Sequence, residues 1–151
     1  VADGAGRVDS EGAFVPNART TLRDGDIKTV LTYLDTLSAQ VPTVWVGPFV
    51  EARISLKYSG GLSPNFALNP QSIPLFTSLD ADLARRMAQE APRAIYISLV
   101  KAFDIAPDFV RQGDCITYRD TDHFSRCGED ILAQRLAGQA AEWRAMLAPV
   151  R

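Results

Sequence analysis

Thr43-Val44-Trp45-Val46-Gly47-Pro48-Phe49-Val50 is a near-continuous apolar and β-branched run. A strand with water on one face alternates apolar and polar residues, whereas one covered on both faces has no need to. The run therefore predicts a strand over 43–50 buried on both faces. Arg93-Ala94-Ile95-Tyr96-Ile97-Ser98-Leu99-Val100 has the same character and predicts a second.

Helical spacing surrounds both runs. Ile27, Val30, Leu31, Leu34 and Leu37 share one face of a helix over 26–40, with Asp24 or Asp26 as its cap and Pro42 as its stop. Residues 52–77 hold three prolines and no sustained period, which predicts a long loop. A second helix is expected over 78–91, capped by Ser78, with Leu79, Leu83 and Met87 on one face and Pro92 beyond its end. After the second strand come a polar loop and a short extended piece over 116–119. A last helix is expected from Ser125 to Leu147, its buried stripe being Leu132, Leu136, Ala140, Trp143 and Leu147.

Helices alternating with buried strands indicate an α/β fold with a parallel sheet. Two strands cannot complete such a sheet, because each needs neighbours at its edges and helices over both faces. The expectation is a single partial domain over 1–151, the C-terminal part of a larger doubly wound one. The chain also begins at Val1 with a polar, Gly-rich stretch, as a processed or excised piece would.

Composition narrows the function. The 151 residues are 46% hydrophobic with a formal net charge of −2, ordinary for a globular domain. No Lys/Arg-rich stripe is present to follow a phosphate backbone, so nucleic acid is not an expected partner. The longest apolar runs, about eight residues, fall far short of a membrane span, so a membrane would be met only through a separate domain. One histidine and two cysteines make a poor zinc set, and neither metal nor cofactor is expected. Cys115 and Cys127 bracket that histidine. They are either two unrelated buried thiols or a disulfide closing the loop between them, contributing roughly 3 kcal/mol and indicating an oxidising compartment.

Chemistry concentrates in Asp120-Thr121-Asp122-His123-Phe124-Ser125. A serine hydrolase needs an imidazole to take the nucleophile's proton and a carboxylate to hold its tautomer. In D-x-x-H, a loop turning after a strand brings the carboxylate back onto Nδ1, so Asp120 is the expected partner of His123. Asp122, adjacent to the histidine, is expected to point elsewhere, toward the cap of the coming helix. Ser125 is expected to be that helix's N-cap, with Phe124 and Gly128 anchoring the loop. The alternative is a surface histidine beside two aspartates. What favours a site is its setting after a buried strand, at the sheet edge where open α/β folds place ligands.

Tyr118-Arg-Asp120-Thr-Asp-His123-Phe-Ser125-Arg-Cys-Gly128, followed by an amphipathic helix, resembles the last block of SGNH (GDSL-like) esterases and acyltransferases. It is most similar to the SGNH domain appended to membrane O-acyltransferases of the acyltransferase-three type. The helix leading into Val44-Trp-Val-Gly47-Pro48-Phe-Val-Glu51 is similar to that family's V-x-V-G-P-x-P-E strand, with Val50 in place of a proline. The resemblance implies a three-layer α/β/α, flavodoxin-like parallel sheet, present here only as its C-terminal part. It implies transfer or hydrolysis of an O-acyl group, commonly acetyl, on a cell-envelope carbohydrate in the periplasm or beyond. His123 would be the general base and Asp120 its orienting carboxylate. The partners implied are an acyl donor, a carbohydrate acceptor and the N-terminal part of the same domain, which carries the Gly-Asp-Ser nucleophile and the oxyanion-hole Gly and Asn.

Other candidates have plainer explanations. Gly113-Asp114-Cys115 imitates a nucleophile block but follows a polar stretch rather than the first strand, so Cys115 is expected to be structural. Ser59 and Ser63 lack the strand–turn–helix setting that exposes a nucleophilic serine. Glu51 and Arg53 follow the first strand and either line an acceptor site or are a solvated strand end. Trp45 and Trp143 are expected in the core rather than as sugar platforms.

Overall fold

The two apolar runs do pair. In the computed structural model, which describes residues 6–8, 14–16, 22–52, 68, 71–120 and 122–139, the chain is a mixed α/β protein with four helices and three two-stranded sheets among those residues. Strands β1 (Gly6–Val8) and β2 (Phe14–Pro16) pair antiparallel. They lead to helix α1 (Asp24–Ser38), strand β3 (Val44–Val46), helix α2 (Ser72–Glu90), strand β4 (Ile95–Ile97) and helix α3 (Leu99–Phe103). A hairpin of β5 (Arg111–Gln112) and β6 (Cys115–Ile116) precedes helix α4 (Arg126–Gly138).

β3 and β4 are parallel, with Val44 opposite Ile95, Trp45 opposite Tyr96 and Val46 opposite Ile97. Parallel neighbours need a crossover, and α2 supplies it. Trp45 and Tyr96 lie on one face, packing against Ile27 and Leu31 of α1 and Leu83 and Met87 of α2. Trp45 is thus partly buried and packed against this core cluster, and Trp143 lies outside the described residues. The other face differs from expectation, since Val44 and Val46 remain 36% and 51% exposed. Both strands are also shorter than the runs that predicted them. Hydrophobicity marks a residue's preference for cover, not which element provides it.

Four of the expected elements are corrected. α1 begins at Asp24, and neither Asp24 nor Asp26 caps it: Asp26 pairs with Arg23 at 2.9 Å and Asp24 with Arg86 of α2. α2 begins at Ser72, not Ser78, so residues 72–77 are not loop; residues 53–67, 69 and 70 lie outside the described residues. Pro74, a loop marker in most settings, lies in the first turn of α2. In a helix's first turn the missing N–H would have had no intrahelical partner, so proline is tolerated there. Ser72, buried in that turn, faces the carbonyl of Ala52 at 3.4 Å. The third correction is α3, which takes over Leu99 and Val100, expected to end the second strand, and the first part of the expected polar loop. Ser98 caps it by accepting from the N–H of Lys101 at 3.1 Å. The fourth correction is α4, which ends at Gly138 with Gln139 as its C-cap, short of the expected end at Leu147; Ala140, Trp143 and Leu147 lie outside the described residues.

A buried carboxylate joins these pieces. Asp80 of α2 is 3% exposed and accepts hydrogen bonds from Tyr96 Oη at 2.7 Å and Ser98 Oγ at 2.8 Å. Burial, and then the neighbouring Asp80, push the Tyr96 phenol well above its ordinary range, so it stays a donor. Gly47 follows from this arrangement, because a β-carbon there would lie 2.2 Å from Tyr96 Oη.

The larger apolar cluster gathers Val50, Phe76, Phe103, Phe109, Val110, Tyr118 and Leu132. It lies beneath the segment that carries Asp120 and His123. The Tyr118 hydroxyl donates to the carbonyl of Val50 at 2.6 Å, tying that segment to the chain leaving β3. Tyr118→Phe leaves a buried carbonyl unpaired and is expected to cost about 1–3 kcal/mol. Urea unfolding checks this as a lower midpoint at unchanged slope.

Candidate active site

The segment starts from a tight hairpin. Gly113 has φ +60° at the first central position of the β5–β6 turn, the conformation a type II′ turn requires there. Gly113-Asp114-Cys115 is therefore turn chemistry, and Cys115 is bonded to Cys127 at 2.10 Å. Of the two readings of the cysteines, the disulfide holds. Beyond β6, Thr117 is fully buried, its Oγ1 donating to Phe109 O at 2.6 Å and its N–H to Val110 O at 2.9 Å.

The chain then reverses. Tyr118 and Phe124 form an antiparallel bridge, with Arg119 N donating to His123 O at 2.9 Å and Ser125 N to Thr117 O at 2.8 Å. Phe124 anchors the reversal from below, its ring centroid 4.7 Å from that of Tyr118 and 5.1 Å from that of Phe49. Ser125 caps α4: its Oγ accepts from Gly128 N at 3.1 Å and donates to Ile116 O at 2.6 Å. Gly128 lies directly on the Thr117 backbone, where a β-carbon would come within 2.1 Å of the carbonyl oxygen. The expected anchors, Phe124 and Gly128, are both in place.

Asp120 and His123 meet at the tip. His123 Nδ1 is 2.8 Å from Asp120 Oδ1, and the same oxygen accepts the backbone N–H of His123 at 2.8 Å and of Asp122 at 3.2 Å. An ionised carboxylate only accepts, so Nδ1 is the donor and Nε2 is left as the basic nitrogen. The ring is 58% exposed, and among the described residues no hydrogen bond reaches Nε2. Partial desolvation pushes the Asp120 carboxyl up, but the His123 ring and the two backbone donors outweigh it. They hold Asp120 well below the usual carboxylate range.

Asp122 is a correction. It does not turn away to cap α4; its Oδ1 lies 3.1 Å from His123 Nδ1. Adjacent side chains diverge in a strand, but the turn closed by Asp120 Oδ1 folds residues 120–123 back on themselves. Asp120, Asp122 and His123 offer ligand atoms within 4.8 Å of one another, the group among the described residues able to surround a cation. These atoms already engage one another, Nδ1 lying 2.8 Å from Asp120 Oδ1. The arrangement is that of a carboxylate–imidazole pair.

A nucleophile is not evident among the described hydroxyls beside the core. Ser98 and Ser125 donate to Asp80 and Ile116, and Thr117 donates to Phe109. Ser59, Ser63 and Arg53 lie outside the described residues. Glu51 is half-buried, and its charge adds to burial in pushing the Tyr118 phenol upward.

The disulfide spans the whole reversal. Breaking it with dithiothreitol is expected to cost about 3 kcal/mol, or roughly 6–12 °C in Tm. Thermal unfolding with and without reductant measures this. A loss under about 1 kcal/mol would show that the Thr117–Ser125 and Tyr118–Phe124 contacts hold the loop unaided. Compared with protein-family models, with curated proteins and with solved structures, the chain matches none.

Proposed function

We propose that this chain carries the acid–base half of a Ser-His-Asp site in an SGNH-type O-acyltransferase or esterase domain, with the serine on polypeptide outside it. The observation that carries the reading is the 2.8 Å contact of His123 Nδ1 with Asp120 Oδ1, which leaves Nε2 basic on an exposed ring. In the reaction, a serine Oγ attacks an ester carbonyl and its proton passes to Nε2. The tetrahedral intermediate then expels an alcohol, which takes that proton from the imidazolium. A carbohydrate hydroxyl or water next gives its proton to Nε2 and attacks the acyl-enzyme carbonyl; the serine oxygen leaves and takes that proton back, and the choice of attacker separates transferase from esterase.

Two further observations support the setting. Parallel strands are normally covered on both faces, and the exposed Val44 and Val46 of β3 favour further sheet and helices beside it, as in a three-layer α/β/α domain. The Cys115–Cys127 bond favours the periplasm or another extracytoplasmic space, where an acetylated envelope carbohydrate would be the substrate. The test is acetate release from an acetylated polysaccharide or an aryl acetate, using polypeptide extended upstream of Val1. Release, or transfer to an added sugar, is the expected result; inert protein with native spectra would reject the reading. The competing reading, a non-catalytic carbohydrate- or partner-binding α/β domain, is favoured by the committed Ser98, Ser125 and Thr117 hydroxyls, and it predicts that inert outcome.

A further inference from the structure

Three donors converge on a single oxygen of Asp120. The N–H groups of Asp122 and His123 and the His123 ring nitrogen Nδ1 lie 3.2, 2.8 and 2.8 Å from Oδ1. A carboxylate oxygen has two lone pairs, so three full hydrogen bonds exceed what it can accept. The other oxygen, Oδ2, is 3.6 Å from Arg119 Nε. Asp122 Oδ1 stands 3.1 Å from the same Nδ1.

We infer that Asp122 is a second positioning residue for His123, sharing the Nδ1–H with Asp120 so that either carboxylate alone can hold the ring's tautomer. The inference rests on the proposed role of His123 as base and adds a residue to it. The division of labour follows from the bonds. Asp120 spends much of its accepting capacity closing the turn, whereas Asp122 approaches Nδ1 from its neighbouring position in the turn that Asp120 closes. Each carboxylate is about half exposed, so solvent screens both; Nδ1 is hydrogen-bonded to Asp120, with the Asp122 carboxylate beside it as an ion-pair contact. The pattern in sequence is D-x-D-H rather than D-x-x-H alone.

His123 is the sole histidine, so its ring nitrogens give unambiguous signals. Long-range proton–nitrogen correlation on the full chain, at a pH where the ring is neutral, reads the tautomer in Asp120→Ala, Asp122→Ala and the double variant. The Nδ1–H form is expected to remain the major one in both single variants and to become the minor one in the double variant. If Asp120→Ala alone matches the double variant, Asp122 holds nothing and the inference falls. Should Asp120→Ala open the turn, seen as loss of protection at the Arg119 amide, Asp122→Ala and Asp122→Asn decide in its place. The Nδ1–H resonance is expected to move upfield in Asp122→Ala and to recover in Asp122→Asn, whose amide oxygen still accepts. A resonance unmoved in Asp122→Ala overturns the inference. These signals do not depend on catalysis, whereas acetate release tests the role of His123 by itself.

Discussion

Gly128→Ala is expected to destabilise the protein by about 3 kcal/mol or more, at the upper end of what overpacking costs. The added methyl group would lie 2.1, 2.8 and 3.0 Å from the O, C and Cα atoms of Thr117. These are backbone atoms, so no side chain can swing aside. Nor can Thr117 yield easily, being fully buried and bonded through Oγ1 to Phe109, through N–H to Val110 and through its carbonyl to Ser125. The start of α4 would have to lift, pulling Leu132 from the core and straining the hold of Cys127 on Cys115. Urea unfolding should show a midpoint lower by about 1 M or more. Gly138→Ala is the control: nothing lies within 4 Å of its added carbon, and stability should be unchanged or slightly higher. A loss under about 1 kcal/mol for Gly128→Ala would contradict the close approach of α4 to Thr117.

His123→Ala, in polypeptide carrying the nucleophile, is expected to lower acetyl-ester turnover about 10³-fold or more. The serine would lose the acceptor for its proton, and the leaving alcohol would lose the donor. Stability should barely change, because the ring is 58% exposed and its described hydrogen-bond and ion-pair partners are confined to its own turn. That separation matters: a variant that folds natively but fails chemically assigns the loss to the imidazole. Asp120→Ala should lose less, since Asp122 remains within 3.1 Å of Nδ1. Turnover by His123→Ala within about tenfold of the unaltered protein would exclude the imidazole as the base.

How far the fold can be read in the sequence depends on which force places each element. The faces of α1 and α2 were legible because burial follows period: Ile27, Leu31, Leu83 and Met87 recur at helical spacing and meet in one cluster. The pairing of β3 with β4 was legible for a similar reason, two apolar runs separated by a helix. Where local signals compete, the reading slipped. Pro74 resembles a loop marker but sits in the first turn of α2, and Leu99–Phe103 continues an apolar run that Ser98 redirects into a helix. The bare face of Val44 and Val46 could not be read at all, because cover is a property of neighbours.

The candidate site was more legible than its surroundings. Asp120 and His123 are three residues apart, and a turn closed by the aspartate's own side chain brings them together without help from distant segments. Asp122 was misplaced because adjacency argues for divergence unless the backbone curls, which this turn makes it do. The Asp80–Tyr96–Ser98 cluster was missed: an aspartate on an apolar helix face was its only signal, and its partners lie 16 and 18 residues away.

Labelling by a serine-directed fluorophosphonate, on the polypeptide extended upstream of Val1, tests whether His123 activates a serine. One serine outside residues 1–151 is expected to be labelled, and His123→Ala is expected to slow labelling at least a hundredfold while leaving the fold intact. No labelling of the folded protein, or labelling as fast in His123→Ala as in the unaltered chain, would contradict this role for His123.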